Sequence, residues 1–153
     1  MKKREVIQMS STEIRDFLVE KHSMTLATIN KDGTPQLIAM WYGFFDDDSI
    51  GMWTFAKSQK IINLNRDNRV TCLVESGMSY DSLKGVQIKG RAELSYDKDN
   101  LIEIGSSIYL RYFGHLDEAG KAAVDKMANK RAAIKVVADQ IISWDHSKLN
   151  GQY

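Results

Sequence analysis

The clearest alternation of apolar and polar positions lies between residues 85 and 96. Every second residue there is apolar or glycine, and the residues between are mostly polar or charged. The apolar side comprises Val86, Ile88, Gly90, Ala92 and Leu94. This period of two predicts a strand with one buried face. Gly90, in mid-strand, indicates a bend or a close approach of another backbone segment, as at a barrel corner.

Other segments show strand-like alternation or clusters of β-branched and aromatic residues, bounded by turn residues. The six predicted strands are 24–30, 36–45, 49–55, 69–75, 85–96 and 132–138, and 140–144 continues the last one. Helical spacing of apolar residues predicts four helices. They cover about 11–21, a segment that starts near Ser58, 98–113 and 117–130. Ser10 and Glu13 fit a capping box before the first helix.

Six mostly sequential strands favour a small antiparallel barrel, because closure removes exposed sheet edges. The predicted fold is therefore mainly β with α, a six-stranded closed or split antiparallel barrel with flanking helices. A two-layer α+β sandwich is the competing architecture. No internal repeat, low-complexity segment or linker interrupts residues 1–153, so a single domain is expected.

Composition narrows the classes of function. The formal net charge is +1, which provides no basic field for nucleic acid. No apolar run is long enough to span a bilayer, and no apolar signal region follows the basic start of the chain. The single cysteine, Cys72, lies in an apolar run and is expected to be a buried structural thiol. A cytoplasmic protein with no membrane or nucleic-acid partner is the expectation.

Familiar catalytic motifs are absent from the sequence. It contains no dinucleotide-binding glycine loop, no Walker lysine motif and no Gly-x-Ser-x-Gly elbow. His22, His115 and His146 lie in three separate segments, so no zinc site is predicted. The acidic residues 46–48 are interpreted as a solvated turn. No catalytic residue is assigned, and a cofactor that carries the chemistry becomes the more attractive hypothesis.

A candidate anion site lies where strand 49–55 leads into the next helix. Lys57 and Lys60 flank the start of that helix, where the macrodipole disfavours cations. Ser58 is the expected N-cap. The hydroxyls of Ser58 and Thr54, two ammonium groups and free backbone N–H groups would suit a phosphate. The alternative is that both lysines are simply solvated.

A series of short segments in fixed order carries a likeness to a known family. They are Leu-Ala-Thr at 26–28, Asp-Gly-Thr-Pro at 32–35, Met-Trp-Tyr at 40–42, Thr54, Ser58 with Lys60, Asn-Leu-x-Arg-Asp at 63–67, Arg-Val at 69–70, Ile-Ser-Trp-Asp-His at 142–146 and Lys-Leu at 148–149. In order and spacing they resemble the pyridoxamine 5'-phosphate oxidase-like flavin-binding split barrels. The small bacterial members, which include flavin and deazaflavin reductases, are the most similar.

The resemblance implies a homodimer of six-stranded split barrels with FMN in clefts at the subunit interface. It also implies an FMN-dependent oxidoreductase that transfers hydride between flavin and a small substrate. Ser58 and Lys60 match the positions that hold the flavin phosphate. Trp53 and Thr54 match the strand end beside it, and Gln59 matches a neighbouring polar contact.

Three further residues, Ala39, Met40 and Trp41, match the strand that runs along the isoalloxazine ring and ribityl chain. Lys57 has no clear family counterpart and is kept as a second phosphate ligand. The true oxidases carry a lysine or arginine on the strand equivalent to 36–41, and this chain has none. Oxidation of vitamin B6 itself is therefore not expected.

Two alternatives stay open at this point. A deazaflavin could replace FMN on the same fold, with Lys57, Lys60, Arg66 and Arg69 forming a basic groove for its anionic tail. A non-enzymatic flavin- or haem-binding protein is the other. Trp144 is equally suited to the core, the dimer interface or ring stacking.

Overall fold

A computed structural model of the chain describes residues 2–20 and 23–151. The strands are β1 (Met24–Ile29), β2 (Pro35–Met40), β3 (Gly43–Phe44), β4 (Ile50–Phe55), β5 (Arg69–Ser76), β6 (Lys84–Ser95) and β7 (Arg131–Asp145). The helices are α1 (Lys3–Val6), α2 (Ser11–Val19), α3 (Gln59–Arg66), α4 (Lys98–Phe113) and α5 (Glu118–Ala128), with short 3₁₀ turns at Tyr80–Ser82 and His146–Leu149.

All seven strands belong to one antiparallel sheet in the order β2-β1-β5-β6-β7-β4-β3. The sheet curls into a half-barrel, which agrees with the expected split barrel and with a mainly β fold. The predicted count of six strands is wrong, because segment 36–45 divides into β2 and β3.

Tyr42 causes that division. Its side chain is completely buried, and its hydroxyl donates to the Leu18 carbonyl oxygen at 2.7 Å. The Tyr42 backbone N–H donates to the Tyr112 hydroxyl instead of to a neighbouring strand. Residues 41 and 42 therefore leave the ladder, and the chain turns between the two edge strands.

Several local predictions are confirmed. Ser10 and Glu13 form the capping box, with the Glu13 N–H donating to Ser10 Oγ at 3.2 Å. Strand β7 extends to Asp145, and its pairing with β6 shifts between Lys89 and Gly90, so that Asp139 of β7 is the extra residue of a bulge. The predicted close backbone approach lies at the same point, because a Cβ added to Gly90 would be 2.1 Å from the Val137 carbonyl oxygen. The predicted first helix ends at Val19, and its expected end at residue 21, like His22, lies outside the described residues.

Two hydrophobic cores lie on opposite sides of β4. The barrel core includes Met52 and Tyr42. The second core lies between the sheet and helices α4 and α5, and it includes Trp53 and Ile104. Residues of β4 therefore alternate between two buried environments, which explains why nearly the whole strand is buried.

None of the helices formed by the described residues combines the length and the apolar character that crossing a lipid bilayer requires.

Candidate functional site

Ser58 stands at the N-cap of α3 but does not cap it with its side chain. Its backbone is extended, with φ −73° and ψ 156°, as an N-cap requires. The predicted N-cap position is therefore confirmed. Ser58 Oγ is buried and has no hydrogen-bond partner among the described residues. A buried hydroxyl without a partner costs about 1–3 kcal/mol, so it is a natural point for a ligand to bind.

Lys60 follows two residues later, and its side chain is directed back to the end of β4. Its Nζ donates to Thr54 Oγ1 at 3.1 Å. Burial lowers the pKa of the Lys60 ammonium, and no carboxylate within the described residues forms an ion pair with it. Lys57 is exposed, and Gln59 donates to Asn63 Oδ1 at 3.0 Å. Of these neighbours, only Ser58 and Lys60 combine partial burial with unused binding capacity.

A cavity of about 490 Å³ lies at the end of β4, and the four predicted residues at the helix start, Lys57 to Lys60, do not line it. It lies between the end of β2, the end of β4 and helix α4. Five of the nine predicted site residues line it, namely Ala39, Met40, Trp41, Trp53 and Thr54. Thr54 joins the two parts of the site, because it lines the cavity and accepts the hydrogen bond from Lys60.

The cavity wall is largely aromatic. Trp41 is 50% exposed and stacks on Tyr112, with ring centroids 4.3 Å apart and planes within 3°. Phe113 meets Trp41 edge-on at 6.0 Å. Trp53 packs so closely on α4 that a Cβ added to Gly105 would lie 2.6 Å from its ring. Such a wall suits a flat ring system.

Arg131 lines the same cavity and is a residue that the sequence reasoning missed. It is the first residue of β7 and pairs with Phe55 across the ladder. Its guanidinium lies 4.8 Å from the ring centroids of both Trp53 and Phe55. The only signal was a cation next to predicted strand 132–138, and the register that brings it to β4 cannot be read from a single sequence.

The remaining candidate cations lie elsewhere. Arg66 donates to the Ile29 carbonyl oxygen and to Asn63 Oδ1. Arg69 pairs with Asp67 at 2.6 Å. Both arginines line a separate cavity of about 640 Å³ next to the β1–β2 turn, which shares no lining residue with the first. They therefore do not extend the site at Lys60 into one basic groove.

The two C-terminal candidates do not line the cavity either. Trp144 is partly buried and packs over Gly85, and His146 Nδ1 lies 2.9 Å from the Tyr80 carbonyl oxygen.

Metal-binding side chains are not clustered in the described structure. Within residues 2–20 and 23–151, no three His, Cys, Asp or Glu side chains are grouped as metal ligands. The acidic turn contains Asp47, which pairs with Lys135.

Comparison with known proteins identifies the family of the chain. The family model described as pyridoxamine 5'-phosphate oxidase matches residues 10–145, a range that includes every residue of the candidate site. The chain belongs to this family. The resemblance noted in the sequence is thereby confirmed.

Several solved structures are similar to this chain. The conserved hypothetical protein Rv2991 from Mycobacterium tuberculosis is 44% identical, with a TM-score of 0.93 over 100% of this chain and 95% of that chain. An F420 reductase is 26% identical, with a TM-score of 0.59 over 83% and 94%. A putative 5-nitroimidazole antibiotic resistance protein from Bacteroides thetaiotaomicron, at 18% identity and TM-score 0.72 over 90% and 84%, shares the fold. No curated protein matches the chain.

Proposed function

We propose that this member of the pyridoxamine 5'-phosphate oxidase family is an FMN-dependent oxidoreductase acting on a small conjugated substrate. One observation carries the proposal. Ser58 Oγ is a buried hydroxyl without a partner among the described residues, and the partly desolvated ammonium of Lys60, two residues along the chain, donates to Thr54 and has no carboxylate partner there. A phosphate would accept hydrogen bonds from both groups and from the free N–H groups at the start of α3.

The adjoining cavity fits the rest of a flavin. Its volume of about 490 Å³ lies in the usual range of small-molecule sites. Ala39, Met40 and Trp41 would flank the ring and ribityl chain, and Trp53 and Thr54 would form the floor near the phosphate. When bound, FMN would supply the redox chemistry. The chain's own residues would position the ring and exclude water.

Substitutions at the phosphate end test this assignment. We expect Lys60→Ala to raise the Kd for FMN by about tenfold or more, because a charge-assisted hydrogen bond is lost. Ser58→Ala should raise it less. Both variants should bind riboflavin, which lacks the phosphate, as wild type does. Quenching of flavin fluorescence on titration of the protein provides the measurement.

Lys89→Ala is the matched control, since Lys89 is exposed on β6. It should leave both affinities unchanged. Lys57→Ala measures whether the exposed Lys57 acts as a second phosphate ligand. Equal FMN binding by wild type and Lys60→Ala would show that the phosphate lies elsewhere.

A deazaflavin on the same site is the second candidate, favoured by the similarity to an F420 reductase. The engagement of Arg66 and Arg69 at a separate cavity argues against an extended basic groove within one protomer. Titration with FMN and with the deazaflavin decides between the two by their relative affinities.

A non-enzymatic flavin carrier would bind FMN without turnover of reduced nicotinamide, and a haem-binding protein would develop a Soret band on haem titration.

We also propose a cytoplasmic homodimer with the cofactor at the subunit interface. The support is that the β2 side of the cavity is open to solvent. Ala39 and Trp41 are exposed, and Phe55 at the end of β4 is 58% exposed. A second copy of the chain would cover these residues and enclose the ring.

A further inference from the structure

Arg131 is a cation set among aromatic rings at the edge of a cavity. Its guanidinium lies 4.8 Å from the ring centroids of Trp53 and Phe55, and Nη2 is 4.0 Å from the sulfur of Met127. Its Nε is buried and has no hydrogen-bond acceptor in the part of the chain that the structure describes. The two rings and the thioether therefore leave most of its five N–H donors unused.

The contacts of Arg131 do not offset the cost of burying its charge. Burial penalises the charge and lowers the pKa of Arg131, although a guanidinium remains protonated in proteins. Cation–π contacts recover about 0.5–2 kcal/mol, and a thioether is a weak acceptor. A fork of N–H donors on such a cation is matched best by a carboxylate or a phosphate. An oxyanion would supply the acceptors that this guanidinium lacks among the described residues.

Other arginines of the chain have the hydrogen-bond or ion-pair partners that Arg131 lacks. Arg15, Arg69 and Arg91 each form an ion pair with an aspartate. Arg111 donates to four backbone carbonyl oxygens at 3.0 to 3.3 Å, three of them at the end of α2. Arg131 has neither kind of partner among the described residues, and it is also the arginine that lines the candidate cavity.

We propose that Arg131 binds the oxyanion of a planar aromatic ligand whose ring lies against the aromatic wall of the cavity. The inference rests on the proposed function in that both use this cavity. Two sources could provide the group, namely an acidic substituent of the substrate or the phosphate of the cofactor. In the first case the substrate is a conjugated acid, which is a narrower class than a small conjugated molecule.

Binding of benzoate to the flavin-free protein tests this without any turnover. Benzoate and benzyl alcohol share the ring and nearly the same size, but only benzoate carries an oxyanion. Binding is followed by the fluorescence of Trp41 and Trp53, which line the cavity. We expect Arg131→Met to weaken benzoate binding by about tenfold or more and Arg131→Lys to weaken it less, since lysine keeps the charge without the fork.

The controls separate anion recognition from a damaged cavity. Benzyl alcohol should bind wild type, Arg131→Met and Arg131→Lys with the same affinity. Arg91→Met, which removes an exposed arginine, should bind benzoate as wild type does. Equal benzoate affinity in wild type and both Arg131 variants, or equal affinity of wild type for benzoate and benzyl alcohol, would overturn the proposal.

Titration of Arg131→Met with FMN and riboflavin distinguishes the two sources. Weaker FMN binding with unchanged riboflavin binding assigns Arg131 to the cofactor phosphate. Unchanged binding of both flavins, together with weaker benzoate binding, assigns it to an acidic substrate. Failure of wild type to bind any flavin would refute the proposed function alone, because the benzoate comparison does not depend on flavin.

Discussion

Burial determines the chemistry of Cys72, the single thiol of the chain. The residue is completely buried in β5, where it pairs with Leu26 on one side and Ile88 on the other. Burial raises the pKa of its thiol from 9.0 to about 12. The expectation of a structural thiol is confirmed, and the thiolate that a nucleophile needs does not form at neutral pH.

This predicts a slow reaction of Cys72 with a thiol reagent. At pH 8 we expect labelling of the native protein to be at least about a hundredfold slower than labelling in urea, because reaction requires opening of the sheet. Absorbance of the released chromophore measures both rates. Native labelling at the rate of a free thiol would contradict the buried placement.

The same shift has a defined effect on stability. The pKa of Cys72 is higher in the folded than in the unfolded chain, so its contribution is fully present below pH 9. That contribution is lost as the pH rises from 9 through about 12. Cys72→Ala should therefore reduce the alkaline loss of stability relative to wild type.

At the scale of elements, Asn63 attaches helix α3 to the β1–β2 hairpin. It is completely buried. The two N–H groups of its Nδ2 are shared among three oxygens, those of Thr28 and Asn30 at 3.0 Å and that of Gln36 at 3.2 Å. The helix that presents Ser58 and Lys60 is thus held by a buried amide, which the sequence reasoning used only as part of a family motif.

Asn63→Asp is expected to weaken both stability and FMN binding. The new carboxylate would face three oxygens and could not donate to them, so we expect a loss of about 2–4 kcal/mol in the free energy of unfolding. Urea denaturation and FMN titration measure the two effects. Asn65→Asp on the exposed side of α3 is the matched control and should cost less than about 0.5 kcal/mol.

Helix α4 shows where sequence reasoning succeeds. Its bounds, Lys98–Phe113, are those predicted, because both end signals are local. The Asp97 side chain accepts from two N–H groups of the first turn, and Gly114 adopts φ 79° after the last. Elements bounded by neighbouring residues can be predicted in this way.

Features that depend on distant residues escaped prediction. The break between β2 and β3 depends on the bond from Tyr42 to Leu18, 24 residues away in sequence. The location of Arg131 depends on the register between β4 and β7. The family resemblance gave residues of the cavity wall, whereas charge and helix position gave Lys57 and Lys60, which do not line that cavity. Arg66 and Arg69, considered for a deazaflavin groove, lie at another cavity.

At the scale of the whole molecule, strand β2 is the surface best suited to contact a second copy of the chain. It is an edge strand, and no other strand of the described residues pairs with its outer side. Leu37 and Ile38, which point to opposite faces, are 64% and 42% exposed. An apolar edge next to an open cavity supports pairing with a second copy of the chain.

We therefore expect the protein to be a dimer by light scattering and Leu37→Glu to be largely monomeric. The charge would be buried without a partner in the interface. FMN affinity should fall with the dimer, since the cavity loses its cover. Met78→Glu, in a fully exposed loop, is the control and should remain dimeric. A wild-type monomer that still binds FMN tightly would exclude this arrangement.

The contacts of Arg111 with the end of α2 also constrain the order of folding. They join residues 91 to 93 positions apart in sequence. During synthesis, the N-terminal helix emerges from the ribosome long before its anchoring arginine. Contacts between such distant residues form late, because a long loop must close first. The bond from Tyr42 to Leu18 spans only 24 residues and can hold α2 earlier, so the contacts of Arg111 complete the docking of α2 after α4 has formed.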